Sequence, residues 1–292
     1  MPDPRSEAEA TVYSGNLTIR KTQHKRKRSI QRETIMTDTS DPILAMLGRP
    51  DGPLAGASLW QLEVVSARLL TPRMRRVEFT GPRLDELTYQ PGQDLMLRIP
   101  SGDGTINRRY TIRSADRARG VVTVDAVVHG EGRGSQWFAG AAPGDRIDAI
   151  GPRGKIVVVD DVDWHLFAGD ESALPAMLAM AESVPAGRRT VVLAEVADAR
   201  EEQPLAGATI EIHWLHRGQV EPGSSPVLAD AIAHLPLIEG PGRAYLAGES
   251  KSVAAMRRVL IERGVPAESV SAKPYWSHGR ANAAHGEPER MS

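Results

Sequence analysis

The 292-residue chain contains no cysteine. This absence excludes disulfide bonds, thiolate nucleophiles, cysteine-ligated zinc and ordinary iron–sulfur clusters together. Electron transfer by such a chain would therefore require an organic or haem cofactor. The eight histidines show no H-E-x-x-H or other close ligand spacing, so the sequence predicts no metal site. A G-x-S-x-G elbow is also missing, and no catalytic triad is indicated.

Long apolar runs and a strong net charge are absent as well. No stretch approaches the roughly 18 to 20 apolar residues of a membrane span, and the N-terminus has no apolar signal region. The net charge of −1 favours neither nucleic acid nor a strongly acidic partner. With 41% hydrophobic and 25% charged residues, the chain is predicted to be a soluble, cytoplasmic monomer. At about 100 to 200 residues per domain, its length suggests two domains.

Residues 1–57 do not resemble a domain. They are polar, lack apolar periodicity and contain one dense basic run, Lys21–Arg28. The composition predicts a disordered or extended tail, and the alternative is an arm for nucleic acid or acidic lipid. Met36 opens a segment that resembles a natural start, so the native product could begin there. At the other end, residues 280–292 are predicted to form a flexible tail.

Residues 58–159 show short apolar or alternating runs separated by turn signals such as Pro91-Gly92. Strands are predicted at Leu62–Leu70, Arg73–Phe79, Asp94–Ile99, Arg109–Arg113, Val121–Val128 and Arg146–Ile150. A short helix is predicted near Ser135–Gly140, and Gly151–Gly154 is predicted to be a turn at the domain junction. Six short strands with this spacing favour a small antiparallel β-barrel.

In residues 160–279, strand-like and helix-like segments alternate, which predicts a parallel α/β sheet. Strands are predicted at Trp164–Ala168, Thr190–Val196, Thr209–Leu215, Arg243–Ala247 and Ser269–Trp276, and helices at Ser172–Ser183, Pro226–Leu235 and Glu249–Arg263. The first helix is predicted to bury one apolar face, made of Leu174, Met177, Leu178 and Ala181. Ligands of such sheets bind at the carboxyl ends of the strands, here Gly169–Glu171, Ala197-Asp198 and Gly248-Glu249.

The segment Arg108–Arg113 contains Arg-x-Tyr-Thr, a flavin signature. An arginine can form two hydrogen bonds to a phosphate, and a tyrosine ring can pack against an isoalloxazine ring. A threonine hydroxyl can bond the reactive edge of that ring. Strand alternation places Arg109 and Thr111 on the face opposite Arg108 and Tyr110. The alternative is an ordinary edge strand with one basic face.

Two glycine-containing segments precede predicted helices. In His129–Ser135, glycines allow the backbone to approach a phosphate, and the helix N-terminus offers free N–H groups; a plain capped turn is the alternative. In Gly169–Ala176, the acidic residues Asp170 and Glu171 suit ribose hydroxyls or an amide better than a pyrophosphate. There the alternative is that Ser172 simply caps the helix.

These motifs, in this order, resemble the siderophore-interacting protein family within the ferredoxin-reductase-like flavoproteins. The similarity extends from about Leu59 to Gly279. The matching stretches are Arg108–Arg113, Val127–Trp137, Pro143–Gly154, Gly169–Ala176, Glu195–Asp198, Ala247–Glu249 and Tyr275–Gly279. The resemblance implies an antiparallel FAD-binding β-barrel at 58–159, followed by a parallel-sheet α/β NAD(P)H-binding domain at 160–279.

The resemblance also implies FAD as the cofactor and assigns its binding residues. Arg108, Tyr110 and Thr111 would hold the flavin's phosphate and ring, with Arg113 and His129 lining the same site. The pyrophosphate would lie on Gly132, Gly134 and Ser135. The cleft and the nicotinamide nucleotide would be bordered by Asp170, Glu171, Ser172, Glu195–Asp198 and Glu249, with Trp276 over a flat cofactor or filling the core. An anionic siderophore would need basic residues, and those available are Lys155, Lys251 and Lys273, with Arg257 and Arg258 on what is otherwise a solvated helix face.

Two positions depart from the family pattern. Relatives usually have proline where this chain has Arg133, whose charge could strengthen phosphate binding or point to solvent. They usually have arginine where this chain has Ser277, which weakens the case for a C-terminal charge contact to the nucleotide. Asp198 favours NADH, because a carboxylate suits a free 2′-hydroxyl, whereas Arg200 and Arg217 could instead meet the 2′-phosphate of NADPH.

The implied activity is that of an FAD-dependent ferric-siderophore reductase, in which electrons pass from NADH or NADPH through the flavin to iron(III). No general base is needed, because the cofactor carries the chemistry. Two alternatives stay open. One is a general flavin-dependent NAD(P)H reductase with another acceptor, and the other is a siderophore-binding module without turnover.

Overall fold

The computed structural model describes residues 43–47, 49, 51–52, 54–102, 104–130, 132–204, 210–236 and 239–279. The basic run Lys21–Arg28, the predicted start at Met36 and the predicted tail at 280–292 lie outside these residues. Part of the segment predicted as an N-terminal tail contacts the barrel, because Leu54 is buried with Met96 and Ile150. This part of the predicted tail therefore packs with barrel residues, and the boundary at residue 57 stays a prediction.

The first domain is an antiparallel sheet of seven strands. Their bounds are β1 Ser58–Leu69, β2 Met74–Thr80, β3 Asp94–Ser101, β4 Gly104–Thr111, β5 Ser114–Asp116, β6 Val121–Val127 and β7 Arg146–Arg153. They lie in the order β4-β3-β7-β1-β2-β6-β5, and a helix, α1 (Arg133–Gly140), connects β6 to β7. The six predicted strands and the predicted helix are all present, and the short β5 is an addition.

Alternation along the strands builds the barrel core. Leu62 and Val64 of β1 and Val77 and Phe79 of β2 are buried in one cluster, as expected for a period of two residues. Phe138 of α1 is fully buried in the same cluster. Helix α1, whose N-terminus is part of the predicted phosphate site, is thus anchored in the barrel core by Phe138.

Strand β7 continues through Gly151, where the sequence predicts a turn. Gly151 pairs with Ser58 of β1, and Arg153 pairs with Asp94 of β3. A Cβ atom at Gly151 would lie 2.7 Å from Leu95 Cδ2 and 2.9 Å from the Asp94 carbonyl oxygen. The glycine is therefore needed for the close approach of two strands, which is the physical reason that the turn prediction is wrong.

The second domain is a five-stranded parallel sheet covered by helices. Its elements are β8 Trp164–Gly169, α2 Leu174–Ser183, β9 Arg189–Val196, β10 Ile210–His216, α3 Val227–His234, β11 Gly242–Glu249, α4 Ser250–Glu262 and β12 Val270–Trp276. The strand order is β10-β9-β8-β11-β12, and every neighbouring pair is parallel. The predicted α/β sheet, its five strands and its three helices are confirmed.

Helix α2 is buried on more than the one face that the sequence predicts. In addition to the predicted apolar face, Ala176, Ala179 and Met180 are buried. The same hydrophobic cluster includes Met74 of β2, and a Cβ atom on Gly92 of the barrel would lie 2.9 Å from Met180 Sδ. One side of α2 therefore packs on the parallel sheet and the other packs on the barrel.

Polar contacts join the two domains on either side of α2. The Glu201 carboxylate accepts hydrogen bonds from Thr71 Oγ1 at 2.5 Å and from the Arg73 backbone N–H at 3.2 Å. Arg113, just beyond β4, donates two hydrogen bonds to Glu182 of α2, at 2.6 and 2.7 Å. Because Glu201 is nearly fully buried, its bonds are protected from competing water.

Substitution of Glu201 by Gln should weaken the domain interface. Both bonds end on the same oxygen, Oε2, and a neutral amide oxygen accepts them less strongly than a carboxylate oxygen does. We therefore expect a loss of about 1–3 kcal/mol in the free energy of unfolding. Urea denaturation measures it. The matched control is Glu202→Gln, because Glu202 is the exposed neighbouring carboxylate and should change stability by less than about 0.5 kcal/mol. Equal effects of the two substitutions would contradict the assigned role.

Candidate functional site

Strand β4 presents two different faces, as its alternation predicts. The ring of Tyr110 packs against Phe138 with centroids 4.4 Å apart and planes tilted by 51°. Burial raises the pKa of the Tyr110 hydroxyl to about 12, so the phenol stays neutral at physiological pH. On the opposite face, Arg109 donates from both Nε and Nη2 to the buried carboxylate of Asp94, with a shortest distance of 2.7 Å.

The start of α1 lies directly against β4. A Cβ atom on Gly134 would lie 2.3 Å from the Tyr110 hydroxyl oxygen and 3.4 Å from Arg108 Cγ. The Ser135 hydroxyl accepts a hydrogen bond of 2.6 Å from the His129 backbone N–H. The structure therefore brings together two motifs that are separate in the sequence, Arg108–Arg113 and His129–Ser135.

This arrangement suits the diphosphate of FAD. Gly132 occupies the N-cap of α1 without a side chain, and the first helical turn carries no acidic residue. Free N–H groups at a helix N-terminus and the adjacent Arg108 both attract negative charge. The cradle formed by Gly134 against Tyr110 leaves no room for a side chain. The residues present therefore fit the cofactor that the barrel is predicted to bind.

The end of strand β12 reaches β4 from the other domain. The side chain of Tyr275 lies beside that of Thr111, and burial raises the pKa of the Tyr275 hydroxyl to about 12. Lys273 Nζ lies 3.5 Å from Asp94 Oδ2 and 5.7 Å from the Tyr275 ring centroid. Asp94 thus lies between Arg109 of β4 and Lys273 of β12. The sequence analysis did not identify Asp94, although a carboxylate at the start of a buried strand requires a cationic partner.

Asp170 and Glu249, which the resemblance places at the cofactor cleft, form their hydrogen bonds within the protein. Asp170 Oδ1 accepts from the Ser172 backbone and hydroxyl, and Oδ2 accepts from the Glu249 N–H and the Trp276 indole. Glu249 Oε2 accepts from the backbone N–H groups of Lys251 and of the following residue, which caps α4. Both carboxylates are buried. In this structure their hydrogen bonds join strand ends and cap a helix, and their place beside the bound nucleotide stays a prediction.

Arg217 occupies a buried cluster with two carboxylates. Its Nη1 lies 2.6 Å from Glu171 Oε1 and 3.8 Å from Glu195 Oε1. Burial raises the pKa of Glu171, and it raises the pKa of Glu195 to about 7, although Arg217 opposes both shifts. Arg217 is therefore enclosed and paired, and it does not face a 2′-phosphate as one alternative supposed.

The remaining predicted residues lie at separate places. Asp198 is exposed beyond β9 and pairs with Arg200. Ser277, one of the two predicted departures from the family pattern, bonds the Ser250 hydroxyl at 2.6 Å at the start of α4. The exposed residues are Arg133 at the start of α1, Lys155 after β7, and Lys251 and Arg258 on α4, with Arg257 partly exposed beside them. Of the three predicted substrate lysines, Lys273 is the one that the structure brings to Asp94 of β3.

Comparison with known proteins matches both domains. The siderophore-interacting FAD-binding domain model matches residues 92–156, and the siderophore-interacting protein model matches residues 162–279. Ferric vibriobactin reductase ViuB of Vibrio cholerae is 35% identical over 255 residues, covering 79% of this chain and 93% of that protein. The chain belongs to the siderophore-interacting protein family. FAD is accordingly the cofactor of its barrel domain.

Solved structures of the family share the whole two-domain architecture. A siderophore utilization protein from T. fusca is 33% identical, with a TM-score of 0.73 over 80% of this chain and 97% of that one. The siderophore-interacting protein SipS from Aeromonas hydrophila is 28% identical, with a TM-score of 0.68 over 77% of this chain and 93% of that one. The Amycolatopsis cytochrome P450 reductase GcoB, at 19% identity and a TM-score of 0.63, shares the fold. The predicted ferredoxin-reductase-like fold is confirmed.

None of the helices formed by the residues that the structure describes could span a membrane. Among the same residues, no group of three or more His, Asp or Glu side chains could hold a metal ion.

Substitution of Gly134 by Ala should damage the predicted phosphate cradle. The added methyl group would overlap the Tyr110 hydroxyl, so we expect a loss of about 1–3 kcal/mol in stability and release of FAD during purification. Thermal unfolding and the ratio of flavin to protein absorbance measure the two effects. In a Tyr110→Phe background the overlapping oxygen is gone, and Gly134→Ala should cost markedly less.

The matched control is Gly140→Ala at the other end of α1. A Cβ atom there would meet nothing within 4 Å, so stability and flavin content should be unchanged or improved. If Gly134→Ala behaves like Gly140→Ala, the cradle has been assigned incorrectly.

Substitution of Glu195 by Gln should stabilise the protein at high pH. The folded-state pKa near 7 lies above the ordinary 4.5, so the folded chain retains a proton that the unfolded chain releases. This group therefore lowers stability as pH rises from about 4.5 to 7, and Gln removes that penalty. We expect the variant to exceed wild type by about 1–3 kcal/mol at pH 8 and to match it near pH 4.5, measured by urea unfolding.

A contrasting variant is Glu211→Gln. Glu211 is exposed, and its pKa is lowered by a hydrogen bond with His213, so its removal should not stabilise the protein at pH 8. A Glu195→Gln protein that is less stable than wild type at pH 8 would show that Glu195 is charged and well paired in the folded state.

Proposed function

We propose that the chain is an FAD-dependent reductase that passes electrons from NADH or NADPH through bound flavin to iron(III) held by a siderophore. One observation carries the proposal: the last strand of the parallel sheet, β12, meets the barrel at two neighbouring strands. Tyr275 lies beside Thr111 of β4, the strand with the flavin motif, and Lys273 lies 3.5 Å from Asp94 of β3. Ligands of parallel sheets bind at the carboxyl ends of their strands. A dinucleotide bound there would lie next to flavin on β4.

The acceptor is proposed from the relatives. The V. cholerae relative is named a ferric vibriobactin reductase, and the T. fusca structure is described as a siderophore utilization protein. Both align with nearly their whole length, so the comparison includes the two domains and their junction. An iron(III) siderophore is therefore the substrate class that we propose for this chain.

We assign the cofactor contacts from the geometry of the barrel. Arg108 and the N-terminus of α1 would hold the diphosphate, while Tyr110 and Thr111 would contact the ring. Arg113, which the resemblance places beside FAD, forms its two strongest contacts with Glu182 of the other domain. We therefore assign Arg113 to positioning the domains.

The proposed reaction balances without an acid or base from the protein. One NADH or NADPH gives up two electrons and releases one proton, and two iron(III) ions become iron(II). Bound FAD supplies the conversion between a two-electron donor and one-electron acceptors. Because siderophores bind through hard oxygen ligands, they hold iron(II) less firmly, so reduction releases the metal.

Lys273 is the basic residue that we propose for contact with an anionic siderophore. It is largely buried at the domain junction, where its charge is partly balanced by Asp94 at 3.5 Å. Lys155 and Lys251 are exposed on other elements and would contribute through their long-range charge.

Anaerobic stopped-flow absorbance tests the proposal. Purified protein with bound FAD is mixed with NADH or NADPH. Loss of the oxidised flavin absorbance, at about 450 nm, reports electron transfer from the dinucleotide to the flavin. The reduced protein is then mixed with ferric vibriobactin or another catecholate siderophore in the presence of an iron(II) chelator. We expect the flavin to reoxidise and iron(II) to appear in a ratio of about two per flavin, as the electron balance requires.

The two rival functions give different results. A general reductase would be reduced by the dinucleotide but would not be reoxidised by ferric siderophores. A binding module would bind siderophore, with no flavin reduction by either dinucleotide. Either result would overturn the proposed function.

A further inference from the structure

The carboxyl ends of β9 and β10 carry an unusual number of charged side chains. The carboxylates at this edge are Glu171, Glu195, Asp198, Glu201 and Glu202, and the basic residues are Arg200, His216 and Arg217. In dinucleotide-binding sheets, the residue beyond the second strand meets the 2′ position of the adenosine ribose. Strand β9 is the second strand of this sheet in chain order, and Asp198 is two residues beyond it. This edge therefore determines whether a 2′-phosphate can be accepted.

Two of the basic residues at this edge are held by carboxylates away from a ligand. Arg217 is buried, and its guanidinium contacts Glu171 at 2.6 Å. His216, at the end of β10, lies 2.8 Å from Glu202. Contact of either residue with a phosphate would leave a carboxylate unpaired. For the buried Glu171, loss of its partner would cost free energy.

Arg200 is held by Asp198 through three hydrogen bonds. Asp198 Oδ1 accepts from the Arg200 backbone N–H at 2.9 Å and from Nε at 3.0 Å, and Oδ2 accepts from Nη2 at 2.7 Å. These bonds hold the pKa of Asp198 well below its usual range, so it is charged at any assay pH. A carboxylate offers about four acceptor positions, so Oδ2 retains room for one ribose hydroxyl.

The balance of charge at this edge suits a hydroxyl and opposes a phosphate. Arg73 of the barrel adds a positive field at Asp198, yet the carboxylates still outnumber the arginines. A 2′-phosphate would carry nearly two negative charges into this cluster, whereas the 2′-hydroxyl of NADH is neutral and can donate a hydrogen bond.

We propose that this edge selects NADH over NADPH, and that Asp198 is the specificity-determining residue because it holds Arg200 in a pair and repels a 2′-phosphate. The inference rests on the proposed function, since it requires a dinucleotide at the carboxyl edge of the sheet. It goes further by naming the donor and the residue that selects it.

The deciding variant is Asp198→Asn in the FAD-loaded protein. Asparagine can still accept the Arg200 backbone bond, so the local turn is kept while the charge is removed. Arg200 is then released toward a 2′-phosphate. We expect kcat/KM for flavin reduction to favour NADH at least about tenfold in wild type, and the NADPH value to rise about tenfold in the variant, as for the loss of one nearby like charge. The NADH value should fall by no more than about threefold, since one hydrogen bond is altered.

A second variant distinguishes two causes of better NADPH use. One is release of Arg200 from its pair with Asp198, and the other is loss of the repulsion between Asp198 and the 2′-phosphate. In the double variant Asp198→Asn with Arg200→Gln, the NADPH value should return toward that of wild type. The matched control is Glu211→Gln, which removes an exposed carboxylate paired with Arg189 at the opposite end of the same two strands. Its ratio of NADH to NADPH should equal that of wild type.

The possible failures can be told apart. A wild-type protein that prefers NADPH, or an Asp198→Asn variant with an unchanged ratio, overturns this inference and leaves the proposed reductase in place. A protein reduced by neither dinucleotide overturns the inference together with the proposed donor. Equal ratios of NADH to NADPH use in the single and double variants would show that Arg200 has no part in the selection.

Discussion

The buried carboxylate of Asp170 joins the carboxyl ends of three parallel strands, and the site depends on this junction. Asp170 is on the segment after β8, and it accepts hydrogen bonds from the Glu249 backbone of β11 and the Trp276 indole of β12. A Cβ atom on Gly248 would lie 2.5 Å from the carboxylate, so this approach requires glycine, whose φ here is +128°. Because Trp276 is held in this way, the preceding Tyr275 is directed at β4 of the barrel. The contact between β4, which contains the flavin motif, and the parallel sheet thus depends on one acidic side chain.

Much of the fold could be predicted from local pattern, whereas the partners of the charged residues could not. Alternation and turn residues located the strands, and the order of the motifs located the flavin strand and the start of α1. The pairs of Asp94 with Arg109, Glu201 with Thr71 and Arg217 with Glu171 join residues that are distant in the chain or on different strands. A buried carboxylate requires a partner, but the sequence does not show which strand will supply it.

The sequence of helix α2 indicates burial on all sides, although the sequence analysis predicted one buried face. A helix that is apolar all round is buried on all sides, and nearly every residue from Leu174 to Ala181 is apolar. The small side chains of Ala176 and Ala179 allow both the sheet and the barrel to approach. The ion pair of Arg113 with Glu182 then fixes the exposed end of the same helix to the barrel. The domain interface is therefore a continuation of the core of the second domain.

The residues that we propose for donor selection and for acceptor contact, Asp198 and Lys273, lie at opposite sides of the parallel sheet. Strands β9 and β12 are separated by β8 and β11, so their ends are about 14 Å apart at the usual spacing between strands. Sites separated by more than about 10 Å without shared partners usually behave independently. Asp198 and Lys273 share no partner among the contacts described above, since Asp198 pairs with Arg200 and Lys273 pairs with Asp94. With the roles proposed for Asp198 and Lys273, a change in the choice between NADH and NADPH would leave the proposed contact with the iron chelate unaltered.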